Sequence, residues 1–237
     1  MFEERVVTAS RQAQSPLDAP NSTSIITAQD IRLSGLTKIQ ELLRRLAGVE
    51  VTIMTGGDTE VSIRGYNSRV SNKTLVLIDY RSVYVDLLGA TFWEALPIDV
   101  EQIERIEVVR GPGSALYGAN AFAGVINIIT RKPGEGGSHV RGGVGSHGGV
   151  FGSATVSQRQ GDTAYRASAG YTREPKWSRD LGPGRLDTRT LTPDQDTASR
   201  NARFDLQATR RLGRDVELSV GGGAAKVFRN MLALGSL

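Results

Sequence analysis

Arg64 and Arg110 each end a β-prone stretch and are followed at once by glycine. That setting packs the stem and leaves the guanidinium at a domain surface, where its planar fork can hold a carboxylate through two parallel hydrogen bonds. Arg110-Gly111-Pro112-Gly113-Ser114 offers a second chemistry, because glycines before a helix start invite an anion. No Gly-Lys-Ser/Thr comes after it, which excludes a phosphate-cradling P-loop. The structural use of these residues is a turn: Gly111 permits positive φ, Pro112 suits a helix start and Ser114 can cap the helical turn after it. Asp58 and Asp86 are two scattered carboxylates. They do not make a calcium site of about six to eight oxygens, and nothing fixes their separation as a glycosidase pair would need. Cysteine is absent, and His139 and His147 both lie in a glycine-rich stretch. Disulfides, Cys-ligated zinc and thiol nucleophiles are thereby excluded, and no nucleophile–base pair is visible. The expectation is no enzyme, no bound metal and no cofactor.

The elements that would carry these residues come in two grammars. Among 237 residues, 39% are hydrophobic, 6% are aromatic and 28 are glycine, a lean supply of core side chains. No apolar run approaches the roughly 18 residues of a membrane helix, whereas β-barrel strands alternate and leave little hydropathy signal. Residues 1–21 read as an extended, flexible arm containing the β-prone Val6-Val7-Thr8-Ala9. Thr27 and Asp30 mark a cap and the first turn of a short helix, and Thr37 caps a second helix running to Leu46, closed by Gly48. Strands are expected at Ser24–Thr27, Val49–Met54, Val61–Arg64, Thr74–Ile78, Ile106–Arg110 and Val125–Thr130, with helical turns near 97–103 and 114–117. Short strands interleaved with short helices indicate an α+β unit over 22–133. The Pro/Gly-rich stretch Arg131–Gly137 reads as a linker.

From residue 140 the period becomes two. Tyr165, Ala167, Ala169 and Tyr171 share one face opposite Arg166, Ser168 and Thr172, while Phe204, Leu206 and Ala208 oppose Arg203, Asp205, Gln207 and Thr209. About five antiparallel strands fit, with compact turns at 159–163 and 211–215 on one rim and the 27-residue connection Glu174–Arg200 on the other. Outer-membrane barrels pair short periplasmic turns with longer external loops. A soluble sandwich also alternates and stays open as an alternative at this point. Charge divides along the same boundary: through Gly137 there are 14 Lys+Arg against 16 Asp+Glu, and afterwards 15 against 9. The later arginines are scattered singly, with no basic helix or aromatic-interleaved patch, so nucleic acid is not an expected partner.

Five motifs in order, Ser62-Ile63-Arg64-Gly65, Thr74-Leu75-Val76-Leu77-Ile78-Asp79 with Arg81-Ser82-Val83-Tyr84, Ile103 to Pro112, Ala115-Leu116-Tyr117-Gly118 and Gly124 to Thr130, resemble the plug domain of TonB-dependent outer-membrane receptors. The resemblance covers about residues 3–133. Where that family usually has glycine after Leu77-Ile78-Asp79, this chain has Tyr80. The resemblance implies an α+β plug followed by the first antiparallel strands of a roughly 22-stranded outer-membrane barrel. It further implies that Glu4, Arg5, Val6, Val7, Thr8 and Ala9 form the TonB box gripped by the periplasmic energy-transducing protein. An exposed β-prone segment suits such a role, because edge-to-edge pairing uses main-chain bonds.

By the same resemblance, Arg64 and Arg110 lock the plug to barrel carboxylates. Gly56, Gly57, Asp58, Asp86, Leu87, Leu88 and Gly89 belong to ligand-facing plug loops. The implied function is TonB-powered uptake of a scarce solute, an iron chelate or cobalamin-like vitamin, in contact with outer-membrane lipid and with no covalent chemistry. Four regions are expected: the arm (1–21), the plug (22–133), a linker (134–139) and the first barrel strands (140–237). About 100 residues after the plug cannot supply a barrel of about 22 strands at about 10 residues each, so a truncated barrel is expected. The alternative is a soluble periplasmic plug-like binding or signalling module with a closed sandwich from 138 to 237.

Overall fold

Side-chain alternation along residues 105–110 and 124–129 puts two apolar rows on opposite faces of one sheet, and the rest of the first unit is arranged about it. The computed structural model describes residues 6–10, 15, 21–66, 73–85, 89–118, 120–145, 148–175, 197–213 and 216–229. The elements in chain order are β1 (Ser22–Thr27), α1 (Ala28–Ser34), α2 (Ile39–Leu43), β2 (Val49–Thr55), β3 (Asp58–Ile63), β4 (Thr74–Ile78), β5 (Arg81–Ser82) and 3-10 turns at Trp93–Ala95 and Val100–Gln102. Then come β6 (Ile103–Arg110), α3 (Ser114–Tyr117), β7 (Gly124–Thr130), β8 (His139–Val144), β9 (Val150–Gln160), β10 (Thr163–Pro175), β11 (Thr197–Arg211) and β12 (Glu217–Arg229). They fall into two units: Met1–Thr52 with Glu60–Trp93 and Asp99–Arg131, and Ile53–Thr59 with Glu94–Ile98 and Lys132–Leu237.

In the first unit the sheet order is β1-β6-β7-β4-β5, with β4 and β7 parallel and the other pairs antiparallel. Ile106, Val108, Ile126 and Ile128 are buried on one face, and Leu75, Leu77, Val109 and Val125 on the other. Each such side chain contributes about 1.5–3 kcal/mol on leaving water. Helix α1 begins as its sequence predicts: the Asp30 amide donates to Thr27 Oγ1 at 3.1 Å and the Thr27 amide donates to Asp30 Oδ2 at 2.9 Å. The second helix is shorter than expected. It ends at Leu43, after which the amides of Arg45 and Leu46 bond the carbonyls of Leu42 and Leu43, three residues back, so the chain tightens into 3-10-like turns. Thr37 is not its cap, since Lys38 occupies that position. Nor does Ser114 cap α3; Gly113 stands at the cap and Ser114 Oγ reaches the Ala121 carbonyl at 3.5 Å. Gly111 has the expected positive φ, at 133°.

The second unit contains a meander in the order β12-β11-β10-β9-β8, antiparallel throughout. Strands β9 to β12 have 11, 13, 15 and 13 residues. A tilted strand needs about 9–11 to cross a bilayer. Residues expected in a linker are tied to this sheet, the Gly134 amide donating to Ser157 Oγ at 3.0 Å and that hydroxyl donating to the Glu135 carbonyl at 3.0 Å. No helix among the described residues is long and apolar enough to cross a membrane. The long connection from Pro175 to Thr197 lies outside the described residues apart from its two ends.

Candidate functional site

The sequence predicts an exposed strand at the N-terminal segment, and the structure corrects this. Val6, Thr8 and Ala9 are buried in the first unit, while Glu4 and Arg5 lie outside the described residues. The cause is a seat prepared for them on one face of the sheet. Ala9 packs among Leu75, Leu77, Val109, Ala121 and Val125, with Tyr117 against the same cluster. Polar groups complete it. The amides of Val7 and Thr8 donate to Glu107 Oε2 at 3.0 and 2.8 Å, Tyr117 donates to the Thr8 carbonyl at 3.0 Å, and Asn127 Nδ2 donates to Thr8 Oγ1 at 3.0 Å. Glu107 and Asn127 are fully buried, and they face each other across the β6–β7 ladder. Arg105 donates to the other Glu107 oxygen at 2.8 Å and to Glu104 at 2.9 Å. Asn127 Oδ1 in turn accepts from the Tyr80 amide at 3.3 Å.

Sequence reasoning passed over Glu107, Tyr117 and Asn127 as site residues. Asn127 signalled itself as an amide inside the apolar run of β7, and Glu107 as a carboxylate among the β-branched residues of β6, since a buried carboxylate or amide requires a partner; Tyr117, in α3, carried no such signal.

Tyr80 adjoins this seat in a conformation that costs energy. Asp79 and Tyr80 have φ of 47° and 66°, the two-residue hairpin geometry in which both central residues are left-handed. Asp79 offsets part of the cost by accepting from the Thr130 amide at 2.8 Å and the Thr130 hydroxyl at 2.7 Å. Burial raises the Tyr80 phenol above its ordinary pKa, and the Glu107 charge adds to this.

The two arginines singled out by spacing come near one another. Arg110 donates to Ser24 Oγ at 2.7 Å and to Ser22 Oγ at 3.3 Å, and its Nη1 is buried without a hydrogen-bond partner. Burial, and then the charge of Arg64, lower the Arg110 pKa. Arg64 itself has φ of 56°, and its amide donates to the Gly48 carbonyl at 2.9 Å. Neither guanidinium pairs with a carboxylate among the described residues.

Of the loop residues expected to face a ligand, Gly56, Gly57 and Asp58 are buried in the second unit. Ser199 Oγ donates to the Gly56 carbonyl at 3.2 Å, and a Cβ at Gly57 would sit 2.6 Å from the Ala198 carbonyl oxygen. The glycine is used here for a close approach to β11. Beside it stands Glu94, 3.9 Å from Arg229, with its carbonyl accepting from Asn201 Nδ2. Burial pushes the Glu94 carboxyl up to about 7, opposed by a Thr59 hydrogen bond and Arg229 and reinforced by Asp58. Gly89 lies in a turn, its amide bonded to the Val85 carbonyl at 2.9 Å. Asp86, Leu87 and Leu88 lie outside the described residues.

The meander has its polarity reversed relative to a water-soluble sheet. Thr155, Ser157, Arg166, Ser168, Asn201 and Asp205 are buried, whereas Val156, Tyr165, Tyr171, Phe204, Leu206, Leu218 and Val220 are exposed. Arg166, only 1% exposed, donates to Asp205 Oδ1 at 3.0 Å. A closed sandwich over 138–237 does not form among the described residues; there is one sheet with two outer strands.

Residues 15–125 match the family model described as TonB-dependent Receptor Plug Domain. The chain is 42% identical over 136 residues to the iron-regulated outer membrane virulence protein of Vibrio cholerae, a match covering 55% of this chain and 20% of that protein. It is 40% identical over 128 residues to the vitamin B12 transporter BtuB of Vibrio vulnificus, covering 53% and 20%. The pyoverdine outer membrane receptor FpvA from Pseudomonas aeruginosa PAO1 shares the fold, with a TM-score of 0.72 at 22% identity over 93% of this chain and 30% of that one. The matches thus span about a fifth of the curated relatives and under a third of the solved receptor.

Proposed function

We propose that the chain, whose residues 15–125 match the TonB-dependent receptor plug family, supplies the plug and the first wall strands of an outer-membrane uptake receptor for a scarce solute, an iron chelate or a cobalamin-like vitamin. The observation that carries this reading is the meander's reversed polarity, an apolar exposed face backed by buried polar and charged side chains. Lipid accepts the first face and a polar lumen the second. Water-soluble antiparallel sheets place their apolar face inward. The solute classes come from relatives named for iron regulation and for vitamin B12 transport.

In this proposal the segment Glu4–Ala9 is the TonB box, Arg64 and Arg110 wait for barrel carboxylates, and the loops at 55–59 and 84–92 respond to solute. The buried, partnerless Nη1 of Arg110 beside a second arginine supports the lock, since a carboxylate there would relieve both the missing bond and the like-charge repulsion. No covalent step is involved. Solute must bind the box-released state more tightly than the held state, because equal affinity shifts nothing.

The test is growth of a Gram-negative host lacking its own receptors, supplied with the intact receptor and with ferric siderophores or cobalamin as the limiting source. Rescue that disappears when the host's TonB is deleted is expected. Rescue independent of TonB, or none with any member of either solute class, overturns the reading.

A further inference from the structure

The described segment Val6–Ser10 is held through its main chain, and the group that holds it is a carboxylate with both oxygens engaged. Glu107 Oε2 takes the amides of Val7 and Thr8, and Oε1 takes the Arg105 guanidinium. The Thr8 carbonyl is taken by Tyr117. The amide and the carbonyl of Thr8, which leave one edge of an extended strand together, are the pair that an incoming strand uses at that residue if it pairs edge to edge with the segment, and the Val7 amide belongs to the other edge. We propose that Glu107 is a masking residue: held in place by Arg105, it occupies the donors of Val7 and Thr8, so that a strand-adding partner must displace a buried, charge-assisted clasp before it can pair.

This rests on the function proposed above for the nature of the partner, and goes beyond it in naming the group that sets how readily the segment is released. Asn127 ties the same clasp to the Asp79–Tyr80 turn by bonding Thr8 Oγ1 with its amide and the Tyr80 main chain with its oxygen. A shift of the β4–β5 turn is therefore felt at Thr8 without passing through the apolar core.

The clasp has a specific vulnerability. A glutamine at 107 has one acceptor and one donor end, so it must turn its NH2 either toward Arg105 or toward the Val7 and Thr8 amides. One set of bonds is lost in either orientation, while volume is unchanged.

These 237 residues contain no cysteine, so a Val6→Cys substitution in the intact protein, with any cysteine outside them replaced by serine, gives a single reporter of release. Val6 is fully buried, and a maleimide reads how often it opens. Labelling is expected to run about tenfold faster with Glu107→Gln, the factor that loss of a charge-assisted hydrogen bond implies. Tyr117→Phe, which removes a single hydroxyl and keeps the ring, should give a smaller rise. Amide exchange at Ile106, Ile126 and Ile128 should stay protected in both. Unchanged labelling with that protection intact overturns the proposal, and so does faster labelling that appears only with general loss of β6 and β7 protection in both variants. Capture of a purified TonB periplasmic domain is measured alongside. Faster labelling without capture leaves the clasp standing and removes the partner, whereas capture with unchanged labelling does the reverse.

Discussion

Single side chains in this molecule are placed where one atom decides an outcome. Glu94 is the clearest case for pH. Its folded pKa, raised to about 7 from 4.5, means that the folded state keeps a proton which the unfolded chain has released between those values. Stability therefore falls as pH rises from 4.5 to 7, by roughly 3 kcal/mol at most, and is flat above. Glu94→Gln should abolish that slope in denaturant titrations at pH 5 and pH 7. Gly57→Ala drives a Cβ into a backbone oxygen 2.6 Å away and should destabilise the second unit by about 1–3 kcal/mol, with loss of the Ser199–Gly56 hydrogen bond. Tyr80 runs the other way. A left-handed non-glycine residue costs roughly 1–2 kcal/mol, so Tyr80→Gly should raise the melting temperature unless the ring's packing outweighs the strain. Tyr80 stood out only against the pattern of the resembled family, which has glycine there, and its left-handed φ explains why glycine is usual. The sequence was silent on Glu94, whose partners Asp58 and Arg229 come from distant segments.

At the level of elements, legibility tracked the range of the forces involved. Thr27 and Asp30 cap α1 as their spacing indicates, because both ends of the capping box lie within four residues. Helix α2 stops at Leu43, where the amides of Arg45 and Leu46 bond three residues back, and Gly48, with φ of 74°, follows only after those turns. The strands were readable from alternation, yet alternation alone could not say which face is covered, since a two-fold period looks the same with either face inward. The paired burial of Arg166 and Asp205 answers that question, and their side chains are 2% and 7% exposed. Asp205→Ala removes one partner of a buried charge and should destabilise the second unit, whereas replacing both residues by apolar ones of similar volume should cost less. Denaturation of the intact protein with the two variants side by side measures the difference. On the opposite face, Leu206→Arg should impair insertion into lipid vesicles, by about 2–4 kcal/mol if the position lies near mid-bilayer, while leaving the first unit's stability unchanged.

Over the whole molecule, the two grammars seen in the sequence correspond to two units, with one qualification that spacing could not reveal. Ile53–Thr59 and Glu94–Ile98 group with the long strands even though their chain neighbours belong to the first unit. The N-terminal segment shows the complementary effect. Its seat is assembled from Glu107, Tyr117 and Asn127, which lie 99 to 119 positions further along the chain. Closing so long a loop carries an entropic cost that only finished β6 and β7 can offset. A segment that leaves the ribosome about a hundred positions ahead of its seat is thus among the last to be housed. In a refolding pulse with deuterium, Val7 and Thr8 should acquire protection no sooner than Ile106 and Ile128, and until that moment this segment remains open to proteases and chaperones alike.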